Sequence, residues 1–277
     1  MARPLSETLP TAFVTGAGAG LGRAFALMLL ADGVRVWGTS RDPARLAADP
    51  GLAAGGLTAV GLDLHDGPGA SAAFARAQQE AGGCFDVVVA NAGYGVYGGF
   101  TAVESRVWES QVAAMLGTVM ALSHQALAAM QARGRGTLVH VSSLAAEFPL
   151  PFMSGYNVAK AGLSALSESL IFETRGTAIR VLDFRPGDHR TGFNTGMLRP
   201  GPGSAREDRA WAVLDRNLEA GPAPAAAAAD LRRALARGRR GVVRSGGFFQ
   251  ARVAPLGGRL LPRGLMRALE ALYFGSP

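Results

Sequence analysis

The chain has 277 residues, 48% of them hydrophobic, and 28 basic against 21 acidic side chains for a net charge of +7. That length fits one large α/β domain or two small ones, and the apolar content supplies a sizeable core. A single cysteine, Cys84, excludes an internal disulfide. No uninterrupted apolar stretch is expected to span a bilayer, and residues 1–7 show no signal-peptide core. A cytoplasmic protein, or one associated with a membrane surface, is expected.

The charge is unevenly spread. Residues 1–198 hold 14 basic and 15 acidic side chains, net −1, whereas residues 199–277 hold 14 arginines and 6 acids, net +8. The basic segment has few stacking aromatics and no nucleic-acid motif, so a solvated arginine-rich face is expected and no nucleic-acid partner.

In chain order, residues 11–15 form a short apolar strand followed by Gly16-Ala-Gly-Ala-Gly20-Leu-Gly22. Residues 21–31 then read as a nearly all-apolar helix, broken at Gly33 before a second strand over 34–37. This is a βαβ unit in which glycines let the backbone approach a pyrophosphate and the helix N-terminus supplies donors. The alternation continues, with strands expected at 57–62, 86–90, 137–142 and 179–184 and helices at 68–81, 104–132 and 156–175. Strands separated by helices imply a Rossmann-like, doubly wound parallel sheet, here in one domain. Ligands of such sheets bind at the carboxyl ends of the strands. Gly16 to Gly22, Ser40 and Arg41, Asp63, Asn91 to Gly93, Ser143, and Pro186-Gly187 all fall there.

Tyr156 and Lys160 are four residues apart, on one face of a helix. A tyrosine is a poor acid–base group at neutral pH because its ordinary pKa is about 10. An ammonium one turn away is expected to favour the phenolate and lower that value. Lys160 is the only lysine in the chain. A serine hydroxyl can bond the same substrate oxygen that the tyrosine protonates, which describes proton transfer at a carbonyl or an alcohol.

Over about residues 10–195 the chain resembles the short-chain dehydrogenase/reductase superfamily. The matching motifs are Thr15-Gly16-x-x-x-Gly20-x-Gly22, Asp63, Asn91-Ala92-Gly93, Ser143, Tyr156-x-x-x-Lys160 and Pro186-Gly187-x-x-x-Thr191. The resemblance implies a nicotinamide cofactor and hydride transfer at a C–O centre. Ser143, thirteen residues before the tyrosine, would orient the carbonyl; Ser142 would face the other side of the strand. Tyr156 would exchange the proton, and Lys160 would lower its pKa and hold the nicotinamide ribose. The implied cofactor set is Thr15, Gly16, Gly18, Ala19, Gly20, Leu21, Gly22, Ser40, Arg41, Asp63, Leu64, Asn91, Ala92, Gly93, Tyr156, Lys160, Pro186, Gly187, His189 and Thr191, with no metal. An NAD enzyme commonly has a carboxylate after strand two. Here Ser40 and Arg41 stand there instead, and Arg41 suits a 2′-phosphate, so NADP(H) is expected over NAD(H). Positions 17–19 carry no second basic residue, and Arg23 is the nearest.

Two departures stand out. The asparagine that many members use to hold a relay water is replaced by Ala114, or by Met115 if the alignment is anchored on Trp108. The loop Asp188-His189-Arg190 is polar where the family is usually aliphatic. Either His189 contacts the carboxamide or a substrate oxygen, or it is an exposed loop histidine beside an Asp188–Arg190 pair. Residues 192–240 are expected to form the substrate lid region, with Trp211, Leu214 and Leu218 on one face of a helix. Pocket candidates are Tyr94, Val96, Tyr97, Leu144, Phe148, Phe152, Met153, Phe193, Met197 and Trp211, an apolar set that favours a lipophilic ketone or secondary alcohol. Residues 241–277 are expected to add a strand and an amphipathic tail resembling that of steroid- and retinol-type members. In the tail Leu265, Met266, Leu269, Leu272 and Tyr273 oppose Arg263, Arg267 and Glu270. The tail would dock on the core, join a partner, or lie on an acidic membrane. A homodimer or homotetramer is expected. The reading is an NADP(H)-dependent carbonyl reductase or alcohol dehydrogenase. The alternatives are an NAD-linked alcohol dehydrogenase, or a cofactor-binding regulator that has lost turnover.

Overall fold

The computed structural model describes residues 3–201, 203–260 and 262–274. Seven parallel strands form one sheet in the order β3-β2-β1-β4-β5-β6-β7. They are β1 (Thr11–Val14), β2 (Arg35–Ser40), β3 (Thr58–Gly61), β4 (Val87–Ala90), β5 (Arg135–Val141), β6 (Ala178–Pro186) and β7 (Gly241–Ser245). The order reverses between β1 and β4, and this switch point opens the crevice at the carboxyl edge.

The pleat divides the core in two. In β1, Ala12 and Val14 face one apolar cluster and Phe13 faces the other, so the strand reads as continuously apolar because both faces are covered. The first face is closed by α1 (Gly20–Ala31) and α9 (Pro224–Ala236), which pack Phe25 and Leu29 with Ala227 and Leu231. Arg232 in α9 makes a two-pronged ion pair with Asp32 at the end of α1, at 2.7 and 2.8 Å. Thus α9, within the segment expected as lid, packs on the first helix of the sheet. The second face carries α4 (Gly67–Glu80), the helix pair α5 (Ser105–Val112) and α6 (Val119–Arg133), and α7 (Ser154–Glu173). Phe13 and Phe74 meet edge-to-face at 4.9 Å there.

Between α5 and α6 a π-helical turn, Ala113–Thr118, widens the helix at the place where the relay asparagine was sought. By length and composition alone the helical 105–133 segment could cross a bilayer, although Arg106, Glu109 and His124 interrupt its apolar run. It is nonetheless a core helix, since Trp108, Met115, Leu122 and Met130 are buried against the sheet or its neighbours.

Two short helices, α2 (Pro43–Ala47) and α3 (Pro50–Ala54), follow β2, each opened by an aspartate that caps its N-terminus and a proline. Their five-residue length is too short for an apolar periodicity to announce them. After β6 come α8 (Ala205–Ala220), then α9, β7, a π-turn at Phe249–Val253, α10 (Ala254–Leu260) and α11 (Arg263–Tyr273).

Candidate active site

A cleft of about 1530 Å³ runs along the carboxyl edge of the sheet. That exceeds a single small-molecule pocket of roughly 300–1,000 Å³ and leaves room for two ligands. One end is the glycine turn. Gly16 and Gly20 have φ of +67° and +52°, a region that side chains disfavour. A Cβ on Gly22 would sit 2.1 Å from the Gly16 carbonyl oxygen, so no other residue fits. No side chain caps the N-terminus of α1, which leaves its first N–H groups for an anion. Across the cleft, Thr191 lies 3.6 Å from where a Gly20 Cβ would be. These features fit a pyrophosphate.

Thr15 does not line the cleft. It is buried, and its hydroxyl oxygen accepts from the amides of Asn91 and Ala92, each at 2.9 Å. The Asn91 side chain donates to the Thr15 carbonyl at 3.0 Å. The pair ties the ends of β1 and β4 together and so holds the turn. Ser40, Arg41, Asp63 and Leu64 line the adenosine end, and so does Arg45, which the sequence reading missed. The signal was one helical turn beyond Arg41, on α2. Arg23, the nearest base by sequence, is engaged elsewhere. It makes a two-pronged bond to Asp49 at 2.8 and 3.0 Å, which holds that carboxyl down at about 2.

Ser143, Tyr156 and Lys160 meet where the two halves of the cleft join. The Ser143 hydroxyl accepts from the Ala145 amide at 3.0 Å and donates to the Pro186 carbonyl at 3.5 Å, and it is near enough to the Tyr156 phenol to act on its pKa. The loop between them is held from α7. Asn157 accepts from the Leu150 amide and donates to its carbonyl at 3.0 and 2.7 Å. Lys160 donates to the Val141 carbonyl at 2.7 Å and lies 5.7 Å from the Tyr156 ring centre.

The electrostatics differ from the sequence expectation. Burial pushes the Tyr156 phenol above its ordinary pKa, against the lowering effect of the Ser143 bond, and the charge of Asp188 adds to the rise. Lys160 is itself pushed down to about 8 by burial, with Asp183 opposing the fall. The expected lowering of the phenol by Lys160 is therefore not what this arrangement produces. Desolvation is the largest influence on both groups.

Behind the lysine lies a buried chain of charges. Asp183 on β6, fully buried, accepts from Ser142, from Ser164 at 2.7 Å and from Arg185 Nε at 2.8 Å. Arg185 continues to Glu147 at 2.6 Å, and Arg244 reaches the same carboxylate at 2.8 Å. Ser142 thus points away from Ser143, as its place in the strand suggested. At the departure point, Ala114 and Met115 are both buried. A Cβ on Gly93 would lie 3.0 Å from the Met115 methyl and 3.7 Å from Lys160 Nζ. A thioether therefore occupies the flank of Gly93 next to the ammonium.

The reading of the polar loop as exposed, with an Asp188–Arg190 pair, does not hold, whereas His189 does line the cleft. His189 is buried, its ring nitrogens taken by the Gly187 carbonyl and the Ser245 hydroxyl, both at 3.2 Å. Asp188 pairs with Gln250, not with Arg190. Its amide donates to Gln250 Oε1 at 3.1 Å, and Gln250 Nε2 donates to Asp188 Oδ2 at 2.5 Å.

The substrate end is walled by Tyr94, Leu144, Phe148, Met153, Phe193 and Met197, all expected. Tyr97, Phe152 and Trp211 are not on the wall. They pack in a cluster behind it, with the Tyr97 hydroxyl donating to the Glu207 carbonyl at 2.5 Å and Arg199 stacked 4.5 Å over Trp211. Val96 is buried in a separate cluster with Trp108. The tail docks on its own core and closes this end. Val253, Met266, Leu269 and Phe274 line the cleft, and Asn217 donates to the Tyr273 hydroxyl at 2.7 Å. The side chains of Arg263, Arg267 and Glu270, expected opposite the apolar stripe, lie outside the described residues.

A nucleotide cradle joined to a Ser–Tyr–Lys cluster defines an oxidoreductase of the short-chain type. The profile of the family described as short chain dehydrogenase matches residues 10–199, and the chain belongs to that family. An uncharacterized oxidoreductase of Myxococcus xanthus is 40% identical over 184 residues, 64% of this chain and 71% of the relative. A short-chain dehydrogenase from Streptomyces avermitilis has a TM-score of 0.80 at 27% identity, covering 98% of this chain and 100% of that one. A metagenomic short-chain oxidoreductase solved in complex with NADP has a TM-score of 0.65 at 30% identity, over 84% of this chain and 94% of that one. One from Burkholderia phymatum solved in complex with NAD shares the fold, with a TM-score of 0.79 at 23% identity over 94% of each chain.

Proposed function

We propose that the protein transfers hydride between NADP(H) and a lipophilic ketone or secondary alcohol. The observation that carries this reading is the convergence of Ser143, Tyr156 and Lys160 on the wall of one cleft, between the glycine cradle and a largely apolar end. The reduced nicotinamide supplies the hydride. Ser143 and Tyr156 both donate to the carbonyl oxygen, and Tyr156 gives up its proton as negative charge develops there. Burial keeps the phenol protonated at neutral pH, so the proton is in place when the alkoxide forms. Lys160, held on the Val141 carbonyl, presents its remaining donors to the ribose and the phenolate.

Arg41 and Arg45 support NADP over NAD. Both line the adenosine end, and among the described residues neither makes an ion pair. NAD-linked alcohol oxidation is the alternative, and a regulator without turnover is a third reading supported by Ala114. The exposed apolar side chains of the tail, Phe248, Phe249, Leu256 and Leu272 among them, support contact with a membrane surface. A cytoplasmic homodimer or homotetramer remains our proposal for its setting.

The test is a ketone panel with NADPH and NADH. Tyr156→Phe should lower kcat by about 10²–10⁴-fold, the range of a lost general acid, with little change in NADPH binding. Equal turnover by variant and parent would remove the proposed proton donor.

A further inference from the structure

The feature that the proposed chemistry does not use is Asp188. Of the charged side chains among the described residues that wall the substrate end, there are two, Lys160 and Asp188. Lys160 is committed to the Val141 carbonyl and the cofactor side. Asp188 stands beside the apolar wall among uncharged polar groups such as Asn194, Asn217 and Gln250, close enough to Tyr156 and Tyr273 for its charge to raise both phenols.

Its bonding shows that it is held there as an acceptor. The Gln250 amide can satisfy the Asp188 N–H only through its oxygen, and this turns its NH₂ onto Oδ2. That orientation fits a carboxylate, and the Gln250 bond opposes the burial that raises the pKa of Asp188. The other oxygen, Oδ1, takes no hydrogen bond from the described residues. Gln250 comes from the π-turn beyond β7, and its Oε1 would be 2.7 Å from a Cβ on Gly187. The backbone of the Pro186-Gly187 loop is therefore shaped to admit it.

A carboxylate at this point is unfavourable for the reaction of a neutral ketone. It is partly desolvated, which costs free energy, and it repels the negative charge that grows on the carbonyl oxygen and on the phenol. A cation on the substrate reverses both effects. It pairs with Oδ1 in a low-dielectric chamber, and it offsets the repulsion at the reacting oxygen.

We infer that Asp188 selects a substrate that carries a protonated amine, so that the substrate class is a lipophilic amino ketone or amino alcohol. This rests on the hydride-transfer reading for the kind of reaction, but the binding preference stands apart from turnover. The apolar wall takes the hydrocarbon part, Ser143 and Tyr156 take the oxygen, and Asp188 takes the ammonium.

The experiment is calorimetric titration of the full chain with octylammonium and with octanol, for the parent, Asp188→Asn and Asp188→Glu. The parent should bind the ammonium about tenfold to a hundredfold more tightly than the alcohol, the range of a hydrogen bond to a charged group. Asp188→Asn should erase the preference and Asp188→Glu should keep most of it. A parent that binds both probes equally, or a preference that survives in Asp188→Asn, overturns the inference, and the parent result alone decides it if the variants do not fold. In kinetics, the ratio of kcat/KM for an amino ketone over its desamino counterpart should fall by a similar factor in Asp188→Asn. Absence of turnover with every ketone would count against the hydride-transfer reading, whereas loss of the ammonium preference counts against the role of Asp188.

Discussion

Replacing Asp183 with asparagine removes one negative charge from the centre of the buried network while nearly keeping its shape. The carboxylate is fully buried and holds Ser164 at 2.7 Å and Arg185 at 2.8 Å. Breaking a buried ion pair from one side costs about 3–5 kcal/mol, because it strands the other charge. Arg185 keeps Glu147 at 2.6 Å, so the lower end, about 3 kcal/mol, is expected. At about 2–4 °C per kcal/mol for a chain of this size, the thermal midpoint should fall by about 6–12 °C. A second effect reaches the active site. Asp183 opposes the burial that pushes Lys160 down to about 8. Without it the ammonium titrates at a still lower pH, and any step that needs it charged should lose its alkaline limb earlier. Thermal melts followed by circular dichroism read the first effect, and a pH profile of kcat/KM reads the second. A midpoint within about 2 °C of the parent, together with superimposable pH profiles, would refute the role assigned to this carboxylate.

Acid should destabilise the fold through His140. Burial holds its pKa down at about 4 against an ordinary 6.5, so the ring is neutral in the native state and donates to one of Ser123 and Ser167 while accepting from the other, both at 2.8 Å. The unfolded chain binds the extra proton between those two values. Stability should therefore fall as pH drops from about 6.5 to about 4, by about 3 kcal/mol. Urea titrations across that window should show the slope, and His140→Gln should flatten it. At the adenosine end, Arg41→Ala and Arg45→Ala should each weaken NADPH about tenfold and leave NADH nearly unchanged, as expected for charged contacts to a 2′-phosphate. Fluorescence titration measures this, and equal losses for both nucleotides would point to a general rather than a phosphate-specific role.

The parts of the protein that could be read from its residue order are those in which cause and effect lie within a few positions. Gly16, Gly20 and Gly22 announce a turn that only glycine can make. Tyr156 and Lys160 share a helix face because they are four residues apart. Alternating strand and helix patterns imply the parallel sheet, whose edge must hold the marked residues. Asp183 has Arg185 two residues away, but its serine partners lie 19 and 41 residues away and meet it only when β5, β6 and α7 are stacked. The same holds for Gln250 on Asp188, 62 residues apart, and for Tyr97, Phe152 and Trp211, whose apolar character suited a wall or a core equally until packing put them behind the wall. The sign of the Tyr156 shift belongs to this second group. Spacing reports which charges are neighbours, but desolvation depends on everything that excludes water, and that is a property of the assembled fold alone.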